Sequence, residues 1–257
     1  MTVLQTIIMS IVQGITELLP ISSSGHLVLF SKILDIQEVS NFTLTSLHLG
    51  TTLAIVLFNW KFLFTDIQSK IKLYTYIVVA TVPAALIGAL FSDAIESYLR
   101  STMVVAVSLI VVGIIMIVVD RKALQNKEGG VMELENVTFK QTLSAGFAQT
   151  LALIPGISRS GITTIAGVFS GLNQYVAIRL SFILGIPILL GSFLYEMIKT
   201  ENSLTMITQP NSILAIVITF IAGYASLWLL DRMSKTRFLM YFGVYRILLG
   251  VIILLSI

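Results

Sequence analysis

Apolar residues run in long unbroken stretches along this chain, and polar positions gather between them. Six stretches approach the roughly 20 residues a helix needs to cross the hydrocarbon of a bilayer. They are residues 44–60, 73–91, 102–119, 176–198, 211–230 and 238–256. None alternates apolar with polar positions as a barrel strand must, so the pattern predicts helices. Two further apolar segments are interrupted. Residues 1–34 contain Glu17, Pro20, the run Ser22-Ser23-Ser24-Gly25 and His26. Residues 139–172 contain Pro155-Gly156 and Ser158-Arg159-Ser160-Gly161. In each, about fourteen helix-compatible positions lead into the break and a short apolar run follows. Neither half is long enough to span.

Basic residues orient these segments. Lys61, Lys70 and Lys72 lie in linker 61–72; Arg121, Lys122, Lys127 and Lys140 in 120–140; and Arg232, Lys235 and Arg237 in 231–237. Linkers 92–101 and 199–210 are poor in them, with Arg100 alone in one and Lys199 at the edge of the other. Positively charged loops stay in the cytoplasm, which places the first three inside. Counting spans from there, 139–172 begins and ends on the cytoplasmic face, and 1–34 begins and ends outside. Both are expected to be re-entrant, carrying their polar breaks toward the bilayer's middle from opposite sides. Trp60 reads as an interface anchor, and Arg179 as a residue that snorkels toward the membrane surface.

The two broken segments also match one another. Ile21-Ser22-x-Ser24-Gly25 returns as Ile157-Ser158-x-Ser160-Gly161, 136 residues on, and Gln13 returns as Gln149 at the same spacing. The chain divides into 1–120, a cytoplasmic linker 121–136, and 137–257, each half holding one interrupted segment and three spans. Three spans per copy turn the second copy upside down. The expected fold is an all-α integral membrane protein: six transmembrane helices plus two re-entrant helix hairpins in an inverted-topology repeat. In such folds the site lies where broken helices converge, with half-helix N-termini facing anionic groups. Its walls are expected to be Ser22–His26 and Ser158–Thr164.

Composition narrows the class. The chain is 56% hydrophobic and 11% charged, against roughly a quarter charged for soluble domains, which excludes a water-soluble globule. The absence of cysteine excludes a disulfide-stapled module, and a formal charge of +3 is too small to argue for nucleic acid. Charged side chains inside the apolar segments therefore stand out. Glu17 is costly to bury unless something binds it, and Gln13 lies one helical turn earlier on the same face. Arg159, between two serines at the opening of a half-helix, presents a fork that suits phosphate oxygens. Its alternative role is a salt bridge with Glu17. His26 suits general acid–base work, and Ser23 suits either attack on phosphorus or donation to a phosphate oxygen. His48 reads as packing or pocket lining, and Arg246 as a structural counter-ion. GxxxxGK[ST], HExxH and cysteine-based zinc patterns are all missing. Mg²⁺ or Ca²⁺ held by Glu17 and substrate oxygens would balance a diphosphate's charge. An enzyme, a transporter or flippase of an anionic lipid, and an intramembrane protease all remain open at this point, with the acid, imidazole and guanidinium favouring the enzyme.

Three stretches carry a family resemblance. Gln13-Gly14-Ile15-Thr16-Glu17 resembles the (E/Q)xxxE signature of the bacitracin-resistance-type undecaprenyl pyrophosphate phosphatases. Leu19-Pro20-Ile21-Ser22-Ser23-Ser24-Gly25-His26 is similar to their LPxSSxGH stretch, and Pro155 to Thr163 to their PGxSRSxxT motif. Gln13 stands where the commoner pattern has an acid, so a second acidic metal ligand is absent. The resemblance implies hydrolysis of undecaprenyl (C55 isoprenyl) diphosphate at the outer face of the cytoplasmic membrane, with a divalent cation. It also allows a homodimer. It implies catalytic roles for Glu17, Ser23, His26 and Arg159, and substrate contacts from Gln13, Ser22, Ser24, Ser158, Ser160, Gly161 and Thr163. Glu17 is the implied metal ligand.

Overall fold

The structure is a computed structural model that describes residues 1–36, 39–99, 101–125, 130–131, 133–233 and 238–255. Arg100, Lys127, Lys235, Arg237 and Ser256, invoked above for orientation or as a span end, lie outside the described residues. So do 126–129 and 132 of the linker.

The described residues are helical almost throughout. In chain order they form α1 (Val3–Leu18), α2 (Ser23–Ile33), α3 (Asn41–Phe58), α4 (Trp60–Phe64), α5 (Ile67–Leu99) and α6 (Thr102–Gln125). There follow α7 (Phe139–Leu151), α8 (Arg159–Phe169), α9 (Gln174–Lys199), α10 (Ser203–Ile207), α11 (Pro210–Met233) and α12 (Phe238–Leu255). Six of these, α3, α5, α6, α9, α11 and α12, are long and apolar enough to cross a bilayer. They coincide with the six expected stretches, and the chain is a multi-span membrane protein. Helix α5 departs most from its expected bounds, running from Ile67 to Leu99 rather than over 73–91. Lys70 lies within it, its stem buried and its Nζ donating to the carbonyls of Phe62 and Thr65 at 3.0 and 2.8 Å. Lysine ends an apolar run but is a good helix former, so the helix outlasts the hydrophobic signal.

Each interrupted segment folds as helix, break, helix. Thr2 caps α1 with a reciprocal pair to Gln5, and Thr138 caps α7 in the same way with Gln141; such caps contribute about 1 kcal/mol each. In the first segment Leu19 precedes Pro20, and that position disfavours helical backbone; Leu19 is extended, at ψ 144°. In the second, the break falls at Pro155-Gly156, and Gly156 adopts φ +95°. Both second helices then start the same way. Ser22 and Ser158 adopt φ +74° and +75°, and their hydroxyls cap the amides of Gly25 and Gly161 at 3.4 and 3.2 Å. A non-glycine residue there costs on the order of 1–3 kcal/mol, which the cap partly offsets. The 136-residue spacing extends to side chains that tie each segment's ends: Gln5 Nε2 donates to Leu34 O, and Gln141 Nε2 to Ser170 O, both at 3.1 Å.

The spans pack around these breaks. Helix α12 lies along α6, α11 along α1 and α3, α5 along α7, and α9 along α3 and α8. The α6–α12 crossing is close: a Cβ on Gly113 would fall 2.7 Å from Gly243 O, and one on Gly243 2.7 Å from Gly113 O. Small residues at such crossings let helix backbones approach inside lipid. The largest core cluster includes Leu18, Leu19 and Ile21 of the first break together with Met116, Ile165, Phe182, Leu227 and Phe238. The first break is therefore seated directly in the core, not at its rim.

Candidate active site

Two direct contacts and one bridging arginine join the two breaks. Ser160 Oγ donates to Leu19 O at 3.2 Å, and the Gly156 amide lies 3.4 Å from Ser24 Oγ. Arg246, on α12 and fully buried, donates from Nη1 to Pro20 O at 3.1 Å and from Nη2 to Gly156 O and Ile157 O at 2.5 and 3.0 Å. Expected to be a counter-ion, Arg246 instead satisfies carbonyls that chain reversal has freed from any helix. In the absence of water those carbonyls need a donor, and a guanidinium can serve several at once. The clasp spans both breaks.

The convergence places a carboxylate against a guanidinium. Arg159 Nη2 donates to Glu17 Oε1 at 3.0 Å, and Nη1 donates to Ser181 O on α9 at 3.0 Å. Both side chains are largely shielded, Glu17 being 6% and Arg159 10% exposed. Gly185, one turn along α9 from Ser181, leaves room for this placement: a Cβ there would lie 2.6 Å from Arg159 Cζ. The other carboxylate oxygen, Oε2, accepts the Ser23 hydroxyl at 2.5 Å and Gln13 Nε2 at 3.2 Å. Ser23 and Arg159 are the first residues of α2 and α8. Two positive helix ends therefore meet at one acid, a setting that favours a multiply charged anion.

The remaining expected residues are placed less uniformly. His26, three residues after Ser23 on α2, is buried, with Nδ1 at 2.7 Å from Ser22 O and Nε2 at 2.7 Å from Tyr245 Oη. A carbonyl only accepts, so Nδ1 carries the proton and Nε2 receives the tyrosine's. The Ser158 hydroxyl caps α8 and lies 3.3 Å from Ser160 Oγ. Ser22 and Ser24 repeat that 3.3 Å contact. The Gly161 amide is engaged by the Ser158 cap. The Thr163 hydroxyl turns to Arg159 O and Ser181 Oγ, both at 2.7 Å, and so braces α8 against α9.

Three neighbours were not singled out for the site. His48 on α3 brings Nε2 to 3.8 Å from Glu17 Oε2 and is 25% exposed. Tyr245 closes Nε2 of His26, and Ser181 carries the carbonyl that orients Arg159. A signal for His48 existed: among the six spans α3 is the least hydropathic, and Thr45, Ser46, Thr51 and Thr52 surround the histidine in sequence. Tyr245 and Ser181 left none, being ordinary polar residues in apolar runs.

The donor set admits a divalent cation. Glu17 is the only acid among the expected site residues, and the described residues hold no cluster of three or more His, Asp or Glu side chains. Beside that acid, however, Gln13 Oε1 is buried and accepts no hydrogen bond, and buried acceptors are ordinarily paired. A carboxylate flanked by an unused amide oxygen suits a hard cation.

The family model described as "Bacitracin resistance protein BacA" matches residues 6–252. The chain is 34% identical over 263 residues to "Undecaprenyl-diphosphatase 1" of Pseudoalteromonas translucida, covering 98% of this chain and 97% of that protein. It is 36% identical to "Undecaprenyl-diphosphatase" of Acinetobacter baumannii (strain ATCC 17978), over 99% of this chain and 95% of the relative. It is 32% identical to a protein of that name from Methanococcus aeolicus, over 99% and 98%. The chain belongs to the bacitracin resistance protein family.

Proposed function

We propose that this member of the family is an integral membrane undecaprenyl-diphosphatase. It hydrolyses the phosphoric anhydride of undecaprenyl (C55 isoprenyl) diphosphate to the monophosphate and phosphate, and so recycles the lipid that carries cell-wall glycans. The observation that carries this reading is the buried Glu17–Arg159 pair with the Ser23 hydroxyl on the same carboxylate, set where two helix N-termini meet.

The lipid's tail stays among the helices while its diphosphate reaches the junction. Arg159 turns part of its fork onto phosphate oxygens and stabilises the charge that grows in transfer. Glu17 Oε2, already the acceptor of the Ser23 proton, takes that proton as the Ser23 hydroxyl, or a water in its place, attacks the terminal phosphorus. The bond to the bridging oxygen breaks, and the monophosphate lipid leaves. With Ser23 as the attacker, a water then cleaves the phosphoseryl bond, Glu17 returns the proton to Ser23 Oγ, and phosphate departs. His26 Nε2, here the acceptor of the Tyr245 hydroxyl, serves the leaving oxygen after it has taken up a proton, while its Nδ1 bond to Ser22 O holds the turn that positions Ser23. Ser22, Ser24, Ser158, Ser160, Gly161 and Thr163 shape the anion cradle, several of them through the caps and braces they form. Glu17 would hold a divalent cation, Mg²⁺ or Ca²⁺, with substrate oxygens. When bound, such an ion neutralises part of the diphosphate charge.

The same reading extends to topology. Segments 1–34 and 139–172 are re-entrant hairpins, and 1–120 and 137–257 are inverted copies joined by the cytoplasmic linker 121–136. The paired caps, serine turns and Gln5/Gln141 bonds at 136-residue spacing support this, as does the placement of basic residues. The site opens to the outside of the cytoplasmic membrane, and the chain forms a homodimer there.

Phosphate release from a C55 or C15 diphosphate by the purified protein in detergent tests the activity. Release that falls at least 100-fold in Glu17→Gln is expected. Folded Glu17→Gln with full activity would overturn the assignment of Glu17, and absence of release by the wild type would overturn the function.

A further inference from the structure

We propose that His48 and Gln13 complete, with Glu17, a mixed nitrogen–oxygen cation site that sets the metal preference of this chain. The inference rests on the reading of Glu17 as the cation-holding acid and names the partners that reading leaves open.

Three observations converge on one carboxylate oxygen. Gln13 is wholly buried, and its Nε2 donates to Glu17 Oε2. That leaves Oε1 of the same amide as a shielded acceptor with no donor. His48 comes from a different helix, α3, yet its Nε2 stands 3.8 Å from that same Oε2. This is too long for a hydrogen bond. It matches two donors sharing one ion, which sit roughly 3–4 Å apart when each metal–ligand bond is about 2.1 Å. Nδ1 of His48 is buried and bonded to nothing, so the ring has no hydrogen bond that would explain its position beside the acid. An imidazole without a hydrogen bond stands beside the one carboxylate, and the amide bonded to that carboxylate carries an oxygen without a donor.

The charge and softness of this set differ from those of a two-acid site. One carboxylate, one amide oxygen and one imidazole favour first-row divalent ions such as Mn²⁺, which accept nitrogen ligands. They disfavour Ca²⁺, which takes six to eight oxygens.

The probe is Mn²⁺ alone, added to the purified full chain in detergent and read by pulsed electron paramagnetic resonance. Wild-type protein is expected to bind Mn²⁺ with a ¹⁴N coupling of the imidazole type and to retain it against excess Ca²⁺. His48→Gln should abolish the coupling and weaken binding about tenfold. His48→Asn serves where the glutamine variant is not monodisperse. Gln13→Glu, which adds a carboxylate at the orphan amide, should tighten binding about tenfold and narrow the preference over Ca²⁺. Absence of Mn²⁺ binding, a spectrum without nitrogen coupling, or a coupling that persists in His48→Gln overturns the ligand set. Phosphate release measured on the same samples keeps the two readings apart. Activity without nitrogen coupling removes His48 and leaves the phosphatase; coupling without activity does the reverse.

Discussion

The first break, around residues 19–26, and the second, around residues 155–162, are built on the same local plan. Each opens its second helix with a serine at positive φ whose hydroxyl caps a glycine amide three residues on. The chemistry carried on that plan is divided. At the 136-residue spacing, Glu17 corresponds to Leu153, Ser23 to Arg159, and His26 to Ile162. Gln13 serves Glu17 through Nε2, whereas Gln149, equally buried, has neither amide atom bonded. The acid and the hydroxyl come from one interrupted segment and the guanidinium from the other. Either segment alone would bury an uncompensated charge, so the site exists only where the two meet. Two helix starts of one local design carry different side chains and together make one asymmetric centre.

Removing the charge pair between the two segments should have the largest effect. Arg159→Ala strands Glu17 in a shielded setting and takes away the main phosphate-facing cation. Turnover is expected to fall about 10³-fold, and stability by about 3–5 kcal/mol. Phosphate release and thermal unfolding in detergent measure the two losses, and activity above a tenth of wild type would remove this pair from the chemistry. The clasp comes next. Arg246→Met deprives Pro20, Gly156 and Ile157 of their donor, and about 2–4 kcal/mol is expected to be lost. A melting temperature equal to wild type would mean that the breaks are joined by something other than this arginine. The smallest effect sharpens the likeness itself. Ser22→Ala and Ser158→Ala each remove one helix cap, and each should cost about 1 kcal/mol. Losses that differ by more than that amount would show that the two turns are not mechanically equivalent.

Much of the fold was legible before any coordinates, and for a simple reason. In lipid a spanning helix must be apolar along its length, so the six stretches and their interruptions are written in hydropathy. Glu17 and Arg159 were legible because a charge in an apolar segment is conspicuous. Their direct contact was read only as the alternative to an anion-binding role, because 142 positions separate them and nothing local fixes the pairing. His48 was read as lining because a single imidazole in a span says nothing about which face of the helix it occupies. Arg246 was legible as buried, but its partners are backbone carbonyls, and carbonyls have no sequence signature. His26 was legible as a site residue, while the engagement of both its nitrogens by Ser22 and Tyr245 was not.

By itself, then, the order of residues determined where the chain crosses lipid, where it must break, and which rare charges need partners, because each of these follows from local composition and the cost of bringing polar groups into hydrocarbon. The tertiary structure alone decided which helix faces meet at the breaks. That brought His48, Ser181, Tyr245 and Arg246 to the junction through packing between segments far apart in the chain, and no periodicity along one segment encodes its contacts with another.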